Sequence, residues 1–201
     1  MNKILLLFLA SYIIGSISGS LILGKFWNID IRNFGSKSAG GTNALRTVGA
    51  LFALLTVIVD ISKGLIPTYL IGYYFNYSEI EMMVGAFGAI VGHVYPIFYK
   101  FNGGKGAGTL LGSLIVLSPL SISYILLVWI VSLVLSGFVG LSTILATFTL
   151  LIYCIVKLNF NFQIFSLLIF IFILFTHREN IKRMIQQNEN RFTKVMIFKR
   201  K

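Results

Sequence analysis

Apolar residues run almost without interruption over positions 4–24, 48–75, 80–99, 107–136, 138–157 and 160–176. Most of these runs approach or exceed the ~20 residues a helix needs to cross a hydrocarbon core of about 30 Å. The period-two alternation of a barrel strand is absent, so the pattern predicts helices. The stretch 107–136 is long enough for two of them. Ser118-Pro119 marks the break, because proline lacks an N–H and cannot continue the preceding hydrogen-bond ladder. Near the start, Gly15-x-x-x-Gly19 predicts a helix-packing face. A signal peptide is the weaker reading of that region, since the chain beyond it is equally apolar. No internal repeat of the transporter type is visible.

Three polar segments separate these runs: 25–47, 100–106 and 177–201. They hold Lys25, Arg32, Lys37 and Arg46; then Lys100 and Lys105; then Arg178, Lys182, Arg183, Arg191, Lys194, Lys199, Arg200 and Lys201. The link from Asn76 to Glu81 carries Glu79 and Glu81 and no basic residue. Basic loops stay on the cytoplasmic side of a membrane. Residues 25–47, 100–106 and the tail are therefore expected inside and the acidic link outside. Parity then demands an odd number of crossings. With 107–136 split, the expectation is an all-α, polytopic integral membrane protein of about seven transmembrane helices. Its N-terminus lies outside, its C-terminus is cytoplasmic, and residues 1–201 form one domain. Five crossings satisfy the same parity.

Composition narrows the picture. Only 11% of residues are charged and the mean hydropathy is +0.88, which excludes a soluble domain. The net charge of +11 would suggest nucleic acid in a soluble protein. Here the basic residues sit at span ends, so membrane topology explains them and no nucleic-acid partner is expected. Cys154 is the only cysteine, which rules out an intrachain disulfide and a cysteine metal site. No His, Asp, Glu or Cys cluster has metal-ligand spacing, so neither metal nor cofactor is expected.

The polar segments carry the candidate chemistry. Residues 30–46 are rich in glycine, hydroxyl and amide groups with two arginines, a donor set suited to phosphate; a solvated loop is the plainer reading. In the second segment, Gly103-Gly104-Lys105-Gly106 lets backbone N–H groups and an ammonium converge on an anion. It is not a P-loop, because Tyr99 stands where that motif has glycine and Gly106 where it has Ser or Thr. The dinucleotide fingerprint fails as well, at Thr109. His93 reads equally well as a helix-end hydrogen bonder or as a catalytic group. Neither histidine begins a His-x4-Asp motif, since Phe98 and Lys182 hold the Asp positions. In the tail, His177, Asn180 and Arg183 share one face at helical spacing. A basic stop-transfer cluster explains Arg178, Lys182 and Arg183 but not His177 or Asn180. Asp60 and Lys63 lie within an apolar run at i, i+3, as a structural ion pair or with Lys63 reaching the anion site.

Taken in order, Asp30-Ile31-Arg32, Gly35-Ser36…Gly40…Thr42-Asn43…Arg46, Lys63-Gly64…Pro67, Gly92-His93…Pro96…Phe98…Phe101-x-Gly103-Gly104-Lys105-Gly106 and His177-Arg178-x-Asn180-Ile181-x-Arg183…Glu189 resemble the motifs of the bacterial acyl-phosphate:glycerol-3-phosphate acyltransferases. The resemblance spans the whole chain. It implies a multi-pass protein of the bacterial inner membrane with its active site facing the cytoplasm. The implied reaction transfers a fatty acyl group from acyl phosphate to the 1-hydroxyl of glycerol-3-phosphate. The products are lysophosphatidic acid and phosphate, in the first step of phospholipid synthesis. Membrane lipid and a soluble enzyme that makes acyl phosphate are the expected further partners. Ser38, Gly41, Gly108, Gly140 and Asn188 depart from the family's usual residues.

On that resemblance, Arg46 and Lys105, with the Gly103–Gly106 backbone, meet the two phosphates. Ser36, Thr42 and Asn43 donate to phosphate or to the developing oxyanion. Lys63 and His93 join the substrate-binding set, and His177, oriented by Asn180, is the candidate general base. A substrate phosphate oxygen is the alternative base, and Ser36 as a covalent nucleophile is disfavoured because no base adjoins it. The rival to an acyltransferase is a membrane transporter of phosphate or an organic phosphate, which would place its charges near the midplane on broken helices.

Overall fold

A computed structural model describes residues 2–197; Lys199, Arg200 and Lys201 of the basic tail lie outside the described residues. All regular structure among them is helical. The chain forms two compact units, Met1–Ser118 and Pro119–Lys201.

In the first unit the opening apolar run is two helices, α1 (Lys3–Gly15) and α2 (Gly19–Trp27). The Asn2 side chain caps α1 by accepting from Ile4 N–H, and α2 ends at Asn28 in the left-handed region, φ 52°, as helix ends favour. The break between them corrects the Gly15/Gly19 expectation. The two glycines face different partners: a Cβ on Gly15 would strike the Ala89 backbone, and one on Gly19 would meet Val59 and Thr56.

Next come α3 (Gly41–Thr47) and α4 (Ala50–Tyr69), the latter continued by a wide turn over Leu70–Tyr74. α5 (Glu79–Val94) opens with a capping box between Ser78 and Glu81. A 2.6 Å bridge from Lys3 to Glu81 and the Tyr12 hydroxyl donating to Tyr95 O at 2.8 Å bracket the α1–α5 seam. These two helices therefore run parallel. α4 and α6 (Ala107–Leu117) are parallel too, with Asp60 beside Gly108 and Gly64 on the Thr109 backbone. Small residues let each pair approach at backbone distance.

The second unit contains α7 (Pro119–Ser136), α8 (Val139–Lys157), α9 (Phe160–Thr176) and α10 (Arg178–Ile185). The expected break falls at Ser118, between α6 and α7. Gly137, φ +75°, turns α7 into α8. Leu150, Cys154, Phe165, Ile169 and Ile173 are buried in this unit.

Among the described residues, five spans are long and apolar enough to cross a membrane, or six if α9 and α10, bent by 53°, count as one; α6 is a shorter apolar helix. Exposed Leu120, Leu127, Ile130, Ile155 and Val156 make sense with lipid as the surrounding solvent, since lipid tails are as apolar as leucine.

Candidate active site

The first polar segment is a loop organised from within. Asn43 is 1% exposed. Its amide donates to Ile31 O at 2.8 Å, Phe34 O at 3.1 Å and Ser38 O at 3.1 Å, while its Oδ1 accepts from Ser36 N–H at 3.0 Å. Sequence reasoning had this amide facing an anion. The structure engages it in shaping the loop that carries Ser36. Gly35 is left-handed, φ +57°, and any Cβ there would collide with Asn43 Oδ1. Thr42 and Arg46, both half-buried, stand four residues apart on α3 and share a face.

Two links join this loop to the second segment. Ala39 N–H donates to Gly103 O at 3.1 Å. The Arg32 guanidinium pairs with Asp30, Nη2 to Oδ2 at 2.6 Å, and its Nη1 donates to Tyr99 O at 3.1 Å and Asn102 O at 3.3 Å. The hydrogen bonds from Arg32 hold the Asp30 carboxyl below the ordinary carboxylate range. Asp30 in turn raises the guanidinium.

The glycine run does two different things. Gly103 N–H donates to Val94 O at 3.2 Å and Gly104 N–H to His93 O at 3.1 Å. Both face the end of α5, so they shape the loop instead of converging on an anion. A Cβ on Gly103 would overlap His93 O and the Pro96 ring, and one on Gly104 would overlap the His93 imidazole. These glycines are required by close packing. Gly106, φ 92°, then starts α6. Half-buried Lys105 stands between the packed glycine and the helix N-terminus, where first-turn N–H groups carry partial positive charge.

Below the loop lies a buried ion group. Lys63 Nζ is 3.1 Å from Asp60 Oδ1 and donates to Ile17 O at 2.8 Å. His93 Nδ1 is 3.4 Å from the same Asp60 oxygen, too poorly aligned to count as a hydrogen bond. The ion-pair reading of Lys63 is thus the one the geometry carries. Its ammonium also meets a carbonyl at the α1–α2 break, where an apolar surrounding would otherwise leave that group unsatisfied.

In the second unit His177 ends α9 and precedes α10. It is 4% exposed, with Nδ1 2.9 Å from Ile173 O. A carbonyl only accepts, so Nδ1 carries the hydrogen and a neutral ring has its lone pair on Nε2. Asn180 donates to Glu189 Oε1 at 2.9 Å and Arg183 to Glu189 Oε2 at 2.6 Å. Asn180 and Arg183 do share a face, and Glu189 holds both. Sequence reasoning gave Glu189 no role. Its signal was its place at the end of the tail motif, one of two carboxylates, with Glu179, among the basic residues. Gly140 of α8 packs on Asn180, where a Cβ would lie 3.0 Å from three of its atoms. No group of three or more His, Cys, Asp or Glu among the described residues could hold a metal ion.

The chain is similar to known proteins along nearly its whole length. The family profile of glycerol-3-phosphate acyltransferase matches residues 5–187. A glycerol-3-phosphate acyltransferase of Finegoldia magna is 36% identical over 194 residues, covering 95% of this chain and 97% of the relative. Glycerol-3-phosphate acyltransferase 2 of Bacillus anthracis is 38% identical over 192 residues, covering 93% and 98%. Among solved structures, the glycerol 3-phosphate form of PlsY, an integral membrane glycerol 3-phosphate acyltransferase, superposes with a TM-score of 0.89 at 31% identity, covering 95% of this chain and 96% of that one. Its lysophosphatidic acid form gives 0.86 at 30% identity with the same coverage. With a profile and relatives that match nearly end to end, the chain belongs to the glycerol-3-phosphate acyltransferase family and is an integral-membrane acyltransferase.

Proposed function

We propose that this protein transfers a fatty acyl group from acyl phosphate to the 1-hydroxyl of glycerol-3-phosphate. The hydroxyl oxygen attacks the acyl carbonyl and the bond from that carbon to the phosphate oxygen breaks. Lysophosphatidic acid and inorganic phosphate leave. An acyl phosphate is a mixed anhydride with a good leaving group, so positioning and charge neutralisation supply most of the catalysis.

The observation that carries this reading is the tying of the two donor-rich loops to each other, through Ala39–Gly103 and Arg32–Tyr99/Asn102. That tie supports a site in which Lys105 and the first turn of α6 receive the phosphate of glycerol-3-phosphate. Arg46, Ser36 and Thr42 serve the acyl phosphate and the developing oxyanion. On the resemblance of the tail motif alone, His177 takes the hydroxyl proton and Asn180 orients it; a phosphate oxygen of a substrate is the alternative acceptor. In the membrane, α6 makes a short seventh crossing, the N-terminus lies outside, and the basic segments face the cytoplasm across a bacterial inner membrane. The basic tail and the acidic Glu79–Glu81 link support that orientation.

The test is direct. Purified protein receives labelled glycerol-3-phosphate with acyl phosphate, then with acyl-CoA. Lysophosphatidic acid and equimolar phosphate are expected with the first donor only, and equal use of acyl-CoA overturns the donor assignment. Lys105→Ala removes one charge-assisted hydrogen bond worth about 1.5–3 kcal/mol, so the KM for glycerol-3-phosphate rises by roughly 10- to 100-fold. An unchanged KM overturns the phosphate assignment.

A further inference from the structure

His93 sits in the motif that carries Lys105, yet its surroundings are those of a wedge. The residue is 4% exposed. One side of its ring, at Nδ1, faces Asp60 Oδ1 at 3.4 Å, and that carboxylate is held by Lys63 at 3.1 Å. The other side, from Cδ2 through Nε2 to Cε1, lies against the Cα of Gly104 so closely that a single methyl there would overlap it. The backbone repeats the grip, since His93 O accepts Gly104 N–H at 3.1 Å and Val94 O accepts Gly103 N–H at 3.2 Å. Lys63 in turn is anchored on Ile17 O at 2.8 Å. A chain of contacts therefore runs from the α1–α2 break through Lys63, Asp60 and His93 to Gly104, one residue before Lys105.

We infer that His93 is a positioning residue: backed by the buried Asp60–Lys63 pair, its imidazole supports Gly104 and sets the path of the Gly103–Gly106 loop, and so the direction of the Lys105 ammonium, without itself touching substrate. The inference rests on the reading that Lys105 meets the phosphate of glycerol-3-phosphate. It removes His93 and Lys63 from the set of direct substrate ligands. Its physical basis is that a charged donor acts on a phosphate only when held in the productive geometry, and a displacement of about 1 Å costs on the order of a hundredfold.

The experiment is a steric cycle on the purified protein in detergent. His93→Ala, Gly104→Ala, the double variant and Lys105→Ala are compared for kcat, for the KM of each substrate and for melting temperature. His93→Ala leaves Gly104 unsupported, and the KM for glycerol-3-phosphate rises about tenfold or more, while the donor KM stays within about twofold. Gly104→Ala drives a methyl into the imidazole and produces a similar loss. In the double variant that methyl enters the space the imidazole vacated. Its kcat/KM is therefore expected to exceed the product of the two single losses by about tenfold, the non-additivity of residues in contact. Losses that simply multiply overturn the wedge, as they would for a histidine that binds substrate directly. Should His93→Ala not yield folded protein, His93→Asn, which keeps a polar group near Asp60 and clears the space beneath Gly104, replaces it in the cycle. If Lys105→Ala leaves the glycerol-3-phosphate KM unchanged, the phosphate reading falls. If Lys105→Ala raises it and the His93 variants do not, the positioning inference falls alone.

Discussion

The Asp60–Lys63 pair offers the sharpest energetic test. The side chains are 5% and 4% exposed, so neither charge has water to fall back on. Asp60→Asn keeps the volume and removes the charge, leaving the Lys63 ammonium with Ile17 O, to which it donates at 2.8 Å. Breaking a buried pair from one side costs about 3–5 kcal/mol. Lys63→Met leaves a buried carboxylate facing His93 alone, with a cost in the same range. Removing both charges is different, because no uncompensated ion remains. Of the groups left behind, only Ile17 O loses a hydrogen bond, at about 1–3 kcal/mol. The double variant should therefore be more stable than the sum of the singles by at least about 2 kcal/mol. For a protein of this length 1 kcal/mol moves Tm by about 2–4 °C. Each single variant then melts roughly 6–20 °C below the parent, and the double variant well above the additive value. Helical circular dichroism during thermal unfolding in detergent measures all four proteins. Single losses that add without remainder refute the claim that the two charges act as one unit.

Two other perturbations report on separate parts of the molecule. Gly140→Ser places a Cβ 3.0 Å from Asn180, which cannot retreat without lengthening its 2.9 Å bond to Glu189. Steady-state turnover is expected to fall several-fold with a stability loss of about 1–3 kcal/mol; parent-like turnover would show that Asn180 has room to move. Asp30 has its carboxyl lowered by Arg32, so its contribution is present above the unfolded carboxylate range and lost as pH falls through the lower native value. Because its side chain is 38% exposed, Asp30→Asn costs less than about 1 kcal/mol at neutral pH. Melting curves of the two proteins should converge in strong acid, and a gap that persists there refutes the linkage.

How far the sequence could be read depended on the range of the interaction. Helices were legible because lipid leaves backbone groups no partner but their own segment, so a run such as 138–157 declares its structure locally. The break at Ser118 was legible for the same reason, since proline acts on its own turn. The break at Ser16–Ser18 was missed; Ile17 O there is satisfied by Lys63, 46 residues away. Asn43 and the N–H groups of Gly103 and Gly104 looked like anion donors by type. Their actual acceptors, Ile31, Phe34, Ser38, His93 and Val94, are a matter of how the chain folds back. Glu189 had no visible role until Asn180 and Arg183 converged on it.

By itself the amino-acid sequence determined the solvent this protein lives in, the helical class, the three polar segments and, through their motifs, the family. Each follows from composition or order along the chain, which survive any arrangement in space. Tertiary structure alone decided which polar groups face inward and which are held for chemistry. A donor's role depends on the acceptor within about 3 Å of it, and for Lys63, Gly103 and Gly104 close packing between separate segments selected that acceptor.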